Sequence, residues 1–251
     1  KALSLSVKDT KRLKILHKMN DLLTEINLPL DEIQKEKAAL YTNIALEYSF
    51  NFNYLEAINY LNCSIALKKH LPEANFIRIL YNYISLLIKA GKYHEALSNI
   101  ELNFKKNKSL LFRLNILKVV ALIYNKEYKP AQREIPSELK QGTFNDYIYL
   151  RSLLVIIYFE TGKSDLAERE IKNIMQTMRN NELIENHIEF CKVMQQIISI
   201  NYEWASLVAS KQIEILKKLK SKLDYKKYAR QNMLPMMWIN NNIDRIFALK
   251  N

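Results

Sequence analysis

Four short turns recur along this chain at nearly constant spacing, and they constrain its fold more than any other feature. Phe52-Asn53-Tyr54, Gly91-Lys92-Tyr93, Lys126-Glu127-Tyr128 and Gly162-Lys163-Ser164 follow one another at steps of 39, 35 and 36 residues. Four residues ahead of each turn stands an apolar or aromatic anchor: Tyr48, Leu87, Leu122 and Tyr158. Three residues past each turn comes an alanine, Ala57, Ala96, Ala131 or Ala167, and four further on Leu61, Ile100, Ile135 or Ile171. Spacings of three and four are those of one face of a helix, so each unit reads as two helices joined by a turn.

Residues 80–103 show the pattern in one copy. Leu80, Tyr83, Ile84 and Leu87 share a face, Ala90-Gly91-Lys92 interrupts it, and Tyr93, Ala96, Leu97 and Ile100 resume it. Gly91 can take the left-handed backbone that ends a helix, and the small Ala96 lets the second helix approach closely. With 3 Gly and 5 Pro in 251 residues, the chain has too few turn formers for a many-stranded sheet. Hydrophobic residues at 49% against 25% charged are enough to bury a core. The expectation is a soluble, all-α protein.

These registers resemble the tetratricopeptide repeat, a helix-turn-helix unit of about 34 residues. Residues 43–67 carry the fullest match, with Ile44, Ala45, Tyr48, Tyr54, Ala57, Leu61 and Ser64 in the signature places. The likeness extends over about residues 38–179 and is degenerate: Phe52 and Lys126 replace the turn glycine, and Ser164 the turn tyrosine. It implies a right-handed superhelical α-solenoid of antiparallel hairpins, about five in all, with capping helices. Residues 1–30 would be an N-terminal cap, 31–180 four repeat hairpins, and 181–251 a divergent fifth hairpin with C-terminal caps.

The flanks are read from periodicity. Residues 7–27 are expected to form one helix with Leu13, Leu16, Met19, Leu23 and Ile26 on its covered stripe, Asp9 or Thr10 as cap and Pro29 as stop. Pro130 and Pro136 predict a short or kinked second helix in the third unit. Beyond Arg179, residues 182–200 and 202–223 read as a further hairpin with Trp204-Ala205 near its turn. Residues 224–233 and 236–249 read as terminal helices, the last carrying Trp238, Ile239, Ile243, Ile246 and Phe247. No apolar run reaches the roughly 18 residues a membrane span needs. A cytoplasmic location is expected, and the opening at Lys1 leaves room upstream for a signal, an anchor or an effector domain.

Nothing in the sequence assembles catalytic chemistry. His17, His70, His94 and His187 are scattered, Cys63 and Cys191 belong to no metal-binding pattern, and three glycines cannot build a phosphate loop. Both cysteines are expected to be reduced and buried in helices. The acidic residues read as caps and solvated faces. The expectation is a non-enzymatic protein with neither metal nor cofactor.

Two surfaces are candidates for a partner. In a hairpin solenoid the first helices line the concave side, which would place Asn43, Arg78, Asn82 and Arg113 along one groove with Tyr41 and Tyr81 nearby. Arg and Asn donors can hold a carboxylate or peptide backbone bidentately. The set is similar to part of the carboxylate clamp of tetratricopeptide domains, with Leu46 and Leu117 at places where that clamp has polar residues. This reading makes the chain a scaffold for a peptide or helix, with an acidic one in keeping with a net charge of +12. The alternative is a nucleic-acid-associated or regulatory module acting through Lys217, Lys218, Lys220, Lys222, Lys226, Lys227 and Arg230, where Tyr225 and Tyr228 interleave.

Overall fold

The computed structural model describes residues 7–23, 25, 29–104, 111–135, 144–180 and 191–198, together with positions 211, 214, 238, 239, 241, 242 and 244. All regular structure among them is helical. The order is α1 (Val7–Leu22), α2 (Leu30–Phe50), α3 (Tyr54–Ala66), α4 (Glu73–Lys89), α5 (Tyr93–Phe104), α6 (Leu111–Tyr124), α7 (Tyr128–Glu134), α8 (Phe144–Glu160) and α9 (Ser164–Asn180). A single 3-10 turn, Lys68–His70, follows α3. The chain divides into two compact units, Lys1–Lys126 and Glu127–Asn251.

The four recurring turns are built alike. Their first residues, Phe52, Gly91, Lys126 and Gly162, all have left-handed backbone, with φ of 59°, 77°, 64° and 73°. In three of them the next amide reaches back five residues to the anchor's carbonyl: Asn53 to Tyr48 at 2.9 Å, Lys92 to Leu87 at 2.8 Å and Lys163 to Tyr158 at 2.8 Å. That bond, with Phe52 N–H to Ser49 O, Gly91 N–H to Ile88 O and Gly162 N–H to Phe159 O, satisfies carbonyls the helix end would leave open. The same residue then starts the following helix, since Ala57, Ala96, Ala131 and Ala167 donate to the carbonyls of Asn53, Lys92, Glu127 and Lys163. All four of these alanines are fully buried.

In the first unit, α1 packs on α2, α2 on α3, α3 on α4, α4 on α5, and α6 on both α4 and α5. Leu13, Leu40 and Ile44 form one cluster, covered by Leu16, Leu23, Tyr41, Tyr48 and Tyr60. Between α2 and α3 the fully buried Ala38, Ala45, Ala57 and Ser64 permit a close approach. There the Ser64 hydroxyl donates to Ala38 O at 2.8 Å, and Thr42 Oγ1 donates to the same carbonyl at 2.9 Å. Helices α4 and α6 are buried on most of their faces, because each has neighbours on several sides. Burying one side chain such as Leu87 or Ile84 contributes about 1.5–3 kcal/mol.

In the second unit, α8 and α9 form a hairpin about Gly162, and α7 packs on α8. Helix α7 has seven residues and ends at Glu134; Ile135 follows it, with an extended backbone (ψ 116°) that suits a residue ahead of Pro136. The short helix expected from the two prolines is therefore present. Residues 191–198 are helical and bury Cys191, Val193, Met194, Ile197 and Ile198. Trp238 packs edge-to-face on Phe159 at 5.3 Å and donates to Glu160 Oε1 at 2.7 Å.

Several expectations need correction. Helix α1 begins at Val7, ahead of Asp9 and Thr10, and stops at Leu22. Pro29 does not terminate it, but stands as the residue before α2 with φ −53° and ψ 138°. Met19 faces solvent, while Leu13, Leu16 and Leu23 are the covered positions. Cys63 is exposed, because its neighbour Ser64 takes the inward place. Two acidic residues are buried with partners. Glu47 pairs with Arg12 at 2.8 Å, and Glu170 is gripped by both Nε and Nη2 of Arg151. Of the expected C-terminal elements, Trp204, Ala205, Ile243, Ile246, Phe247 and residues 224–233 lie outside the described residues.

The turns generate a stability test. No heavy atom lies within 4 Å of where a Cβ on Gly91 or Gly162 would stand, so Gly91→Ala carries a backbone cost alone, about 1–2 kcal/mol. Lys126→Gly relieves a like cost and should stabilise by up to about 1 kcal/mol. Urea unfolding of the two variants should move in opposite directions, and a shift of the same sign in both would contradict this account.

A second test concerns Lys89 in the last turn of α4, whose ammonium burial holds well below its usual range, at about 8. Between pH 8 and about 10 the folded state binds fewer protons here than the unfolded chain, so this group makes stability rise with pH. The buried tyrosines act oppositely at the top of that range. The difference between wild type and Lys89→Met isolates the lysine: the variant should be more stable at pH 7, and its advantage should shrink towards pH 10.

Candidate functional site

Helices α2 and α4 are the first helices of consecutive hairpins, and between them opens a cleft of about 170 Å³. Lys35, Glu36, Ala39, Thr42 and Asn43 line it from α2, Asn75, Arg78 and Ile79 from α4, and Leu71 from the connection. The spacing of 35, 39, 42 and 43 sets those α2 side chains on one face. Pro72, with extended backbone, starts α4 so that Asn75 and Arg78 face across.

The wall is apolar where Ile79 is buried and polar at the rim, where Lys35, Asn43 and Arg78 are exposed. Arg78 and Lys35 have no acidic partner among the described residues. Glu36 offsets one of the two positive charges, so the rim carries a single net positive charge. The one hydroxyl, Thr42 Oγ1, is held between Ala38 O and Ser64 Oγ at 2.9 and 3.1 Å. It is a fixed part of the helix contact, not a free nucleophile. The volume is well below the roughly 300–1,000 Å³ of small-molecule sites. It is on the scale of one side chain or a chain terminus.

Of the residues the sequence nominates, Asn43 and Arg78 are brought together here. Asn82 lies one turn along α4, and exposed Arg113 lies on α6; neither lines the cleft. Tyr41 points away from it, packing with Tyr60 at 6.2 Å between ring centres in the α1–α3 cluster. Tyr81 is half-buried and not part of the lining. Lys217, Lys218, Lys220, Lys222, Lys226, Lys227 and Arg230 lie outside the described residues. Lys35 and Asn75, which the sequence reading missed, were legible in principle: each stands within a turn or two of a nominated residue on its own helix.

Other polar arrangements are committed to the fold. Tyr83 donates to Glu95 Oε1 at 3.1 Å, and the same carboxylate meets Lys92 at 3.3 Å. Burial first, and Glu95 second, push the Tyr83 phenol up. His70 Nδ1 meets Asp31 at 2.8 Å, tying the 3-10 turn to the start of α2. Among the described residues there is no group of three or more His, Cys, Asp and Glu that could hold a metal ion. No described helix is long and apolar enough to cross a membrane.

No model of a known protein family matches the chain, and no curated protein is similar enough to it to count as a relative.

The cysteines differ sharply in environment. Burial pushes the Cys191 thiol up to about 12, whereas Cys63 is exposed. At pH 8 an aromatic disulfide reagent should label Cys63 rapidly in the folded protein, and Cys191 only after denaturant is added. Fast labelling of both in the native state would contradict the burial of Cys191.

Proposed function

We propose that this chain is a non-catalytic binding module, a right-handed superhelical stack of tetratricopeptide-like hairpins that holds a short segment of a partner polypeptide. The repeating turn geometry and the four buried alanines support the hairpin reading, because they fall at the family's signature places. One observation carries the binding reading. Arg78, which has no ion-pair partner among the described residues, and Asn43 both line the rim of a cleft with an apolar wall.

A guanidinium and a carboxamide on facing helices can grip the two oxygens of a carboxylate, while an aliphatic neighbour on the same peptide rests against Ile79 and Leu71. The size of the cleft restricts the occupant to one anchor residue, with the remaining contacts outside it. Affinity from one such anchor is modest, on the order of micromolar when joined by a few flanking contacts. Fold alone does not select a partner, so the chemistry of these side chains defines the class: an acidic peptide, or the free carboxylate end of one.

The reading is tested with a panel of short peptides that differ only in bearing a free or an amidated C-terminus, or an acidic or neutral anchor. Carboxylate-bearing peptides should bind more tightly, and Arg78→Ala should weaken them about tenfold or more. Lys217→Glu with Lys218→Glu should leave them unaffected. A panel in which amidation, anchor charge and Arg78→Ala all make no difference would overturn it.

A further inference from the structure

The outer face of α1 combines two features that a terminal covering helix does not need. Ile15, Met19 and Leu22 are 59%, 50% and 54% exposed, and their spacing of four and three places them in one row. Lys11, Lys14 and Lys18 are exposed as well. At about 100° per residue all six side chains fall within an arc of about 140°, the lysines along one edge and the apolar residues along the other. The opposite side of the helix is the one that packs, through Leu13, Leu16 and Leu23. A cap that merely closes a stack is polar outside; this one is half apolar.

The lysines are uncommitted. None of the three is in an ion pair among the described residues. Arg12, beside the arc, is spent on Glu47. Asp21 lies at the lysine edge and already has a partner. The arc therefore presents three unneutralised positive charges next to three protruding apolar side chains.

We infer that this face of α1 docks on an anionic lipid surface. The apolar row would enter the headgroup boundary while Lys11, Lys14 and Lys18 meet the acidic headgroups. Both halves of the arc are needed for that assignment. Nucleic acid would use the lysines but leave Ile15, Met19 and Leu22 in water. A second copy of this chain would cover the apolar row but bring six lysines together. It would also bury only roughly a few hundred Å², against about 1,200 Å² for a stable interface. An acidic protein could satisfy the charges, but it would need a groove shaped to this row, whereas a lipid surface accepts protruding side chains without one. The helix is 16 residues long, enough for the whole arc to lie parallel to a membrane plane.

The test is co-sedimentation of the full chain with vesicles of neutral lipid, or of the same lipid with about 30% phosphatidylserine, at about 0.1 M and about 0.5 M salt. Retention should require the anionic lipid and fall at the higher salt. Ile15→Ser/Met19→Ser/Leu22→Ser and Lys11→Glu/Lys14→Glu/Lys18→Glu should each lose about tenfold or more, with helical circular dichroism unchanged since all six side chains are exposed. A Lys217→Glu/Lys218→Glu variant should bind like wild type.

Equal retention on neutral and anionic vesicles by the wild-type protein would overturn the inference whatever the variants do. So would retention that survives the triple serine variant, which would mark attraction by net charge alone. A dimer in solution that the serine variant dissolves would assign the face to a second copy. Binding of polyglutamate, but not vesicles, through the same three apolar residues would assign it to an acidic protein.

Discussion

Two helices can approach only as closely as the bulkiest side chain between them allows, and much of this fold follows from keeping that side chain small. Ala57, Ala96, Ala131 and Ala167 sit one turn into the second helix of each unit and have no exposed surface. With the backbones close, the large residues on either side, Leu61, Ile84, Leu87 and Ile171 among them, interdigitate. Because these methyls are fully buried, a larger group there should force the helices apart, at a cost of about 1–3 kcal/mol. The left-handed residue just before each second helix sets the direction in which that helix leaves. The alanine contact and the turn are therefore one constraint expressed at two positions.

Polar groups inside the fold follow from the same closeness. Ser64 and Thr42 share the carbonyl of Ala38 because α2 and α3 come near enough for a hydroxyl to cross. Each buried hydroxyl thereby finds its partner, which avoids a desolvation cost of about 1–3 kcal/mol. Glu47 and Glu170 are more demanding, since a buried carboxylate is tolerable only when paired. Arg12 reaches Glu47 from the neighbouring helix while most of its own surface stays in water. Arg151 grips Glu170 with two nitrogens across the α8–α9 hairpin. Such pairs add little net stability, but a helix slipped by one turn would strand the charge, so they oppose the wrong register.

The sequence reveals this fold wherever a position has one role. The four turns, the anchors before them and the alanines after them were readable because each is fixed by local backbone geometry or by the tightest contact. The shortening of α7 was readable too, because Pro136 disfavours helical backbone at the residue before it, whereas Pro130 is tolerated in the helix's first turn. Faces covered by more than one neighbour were not. A helical stripe says that something is buried, not how many helices bury it. Helix α1 is covered on one side only, by α2 and by Tyr60 of α3, so its covered stripe is narrower than its apolar periodicity, and Met19 falls outside. Tyr41 was assigned to the groove side of α2, but the cluster with Tyr60 holds it opposite. Cys63 and Ser64 are both small, and only the approach of α2 decides which faces inward. The cleft was half legible: Asn43 and Arg78 follow from the repeat register, whereas Lys35 and Asn75 enter through the angle between two helices.

Helix α2 is the partition between the two proposed surfaces. Its residues 35, 39, 42 and 43 face α4 and the cleft, while Leu40, Tyr41, Ile44 and Glu47 face α1 and the Tyr60 cluster. The two sets lie roughly on opposite sides of a helix turning about 100° per residue. A lipid surface contacted by the outer arc of α1 would thus be separated from the cleft by the thickness of two helices, about 20 Å at 8–10 Å per packed pair plus side chains. At that distance the negative surface is screened, since the Debye length in physiological salt is about 8 Å. Arg78 would then keep its attraction for a carboxylate, undiminished by the headgroups. Had both surfaces used the same face of α2, the membrane would have competed for Arg78 and Lys35. Because they do not, a chain resting on a membrane through α1 would still present its cleft to a partner from solution.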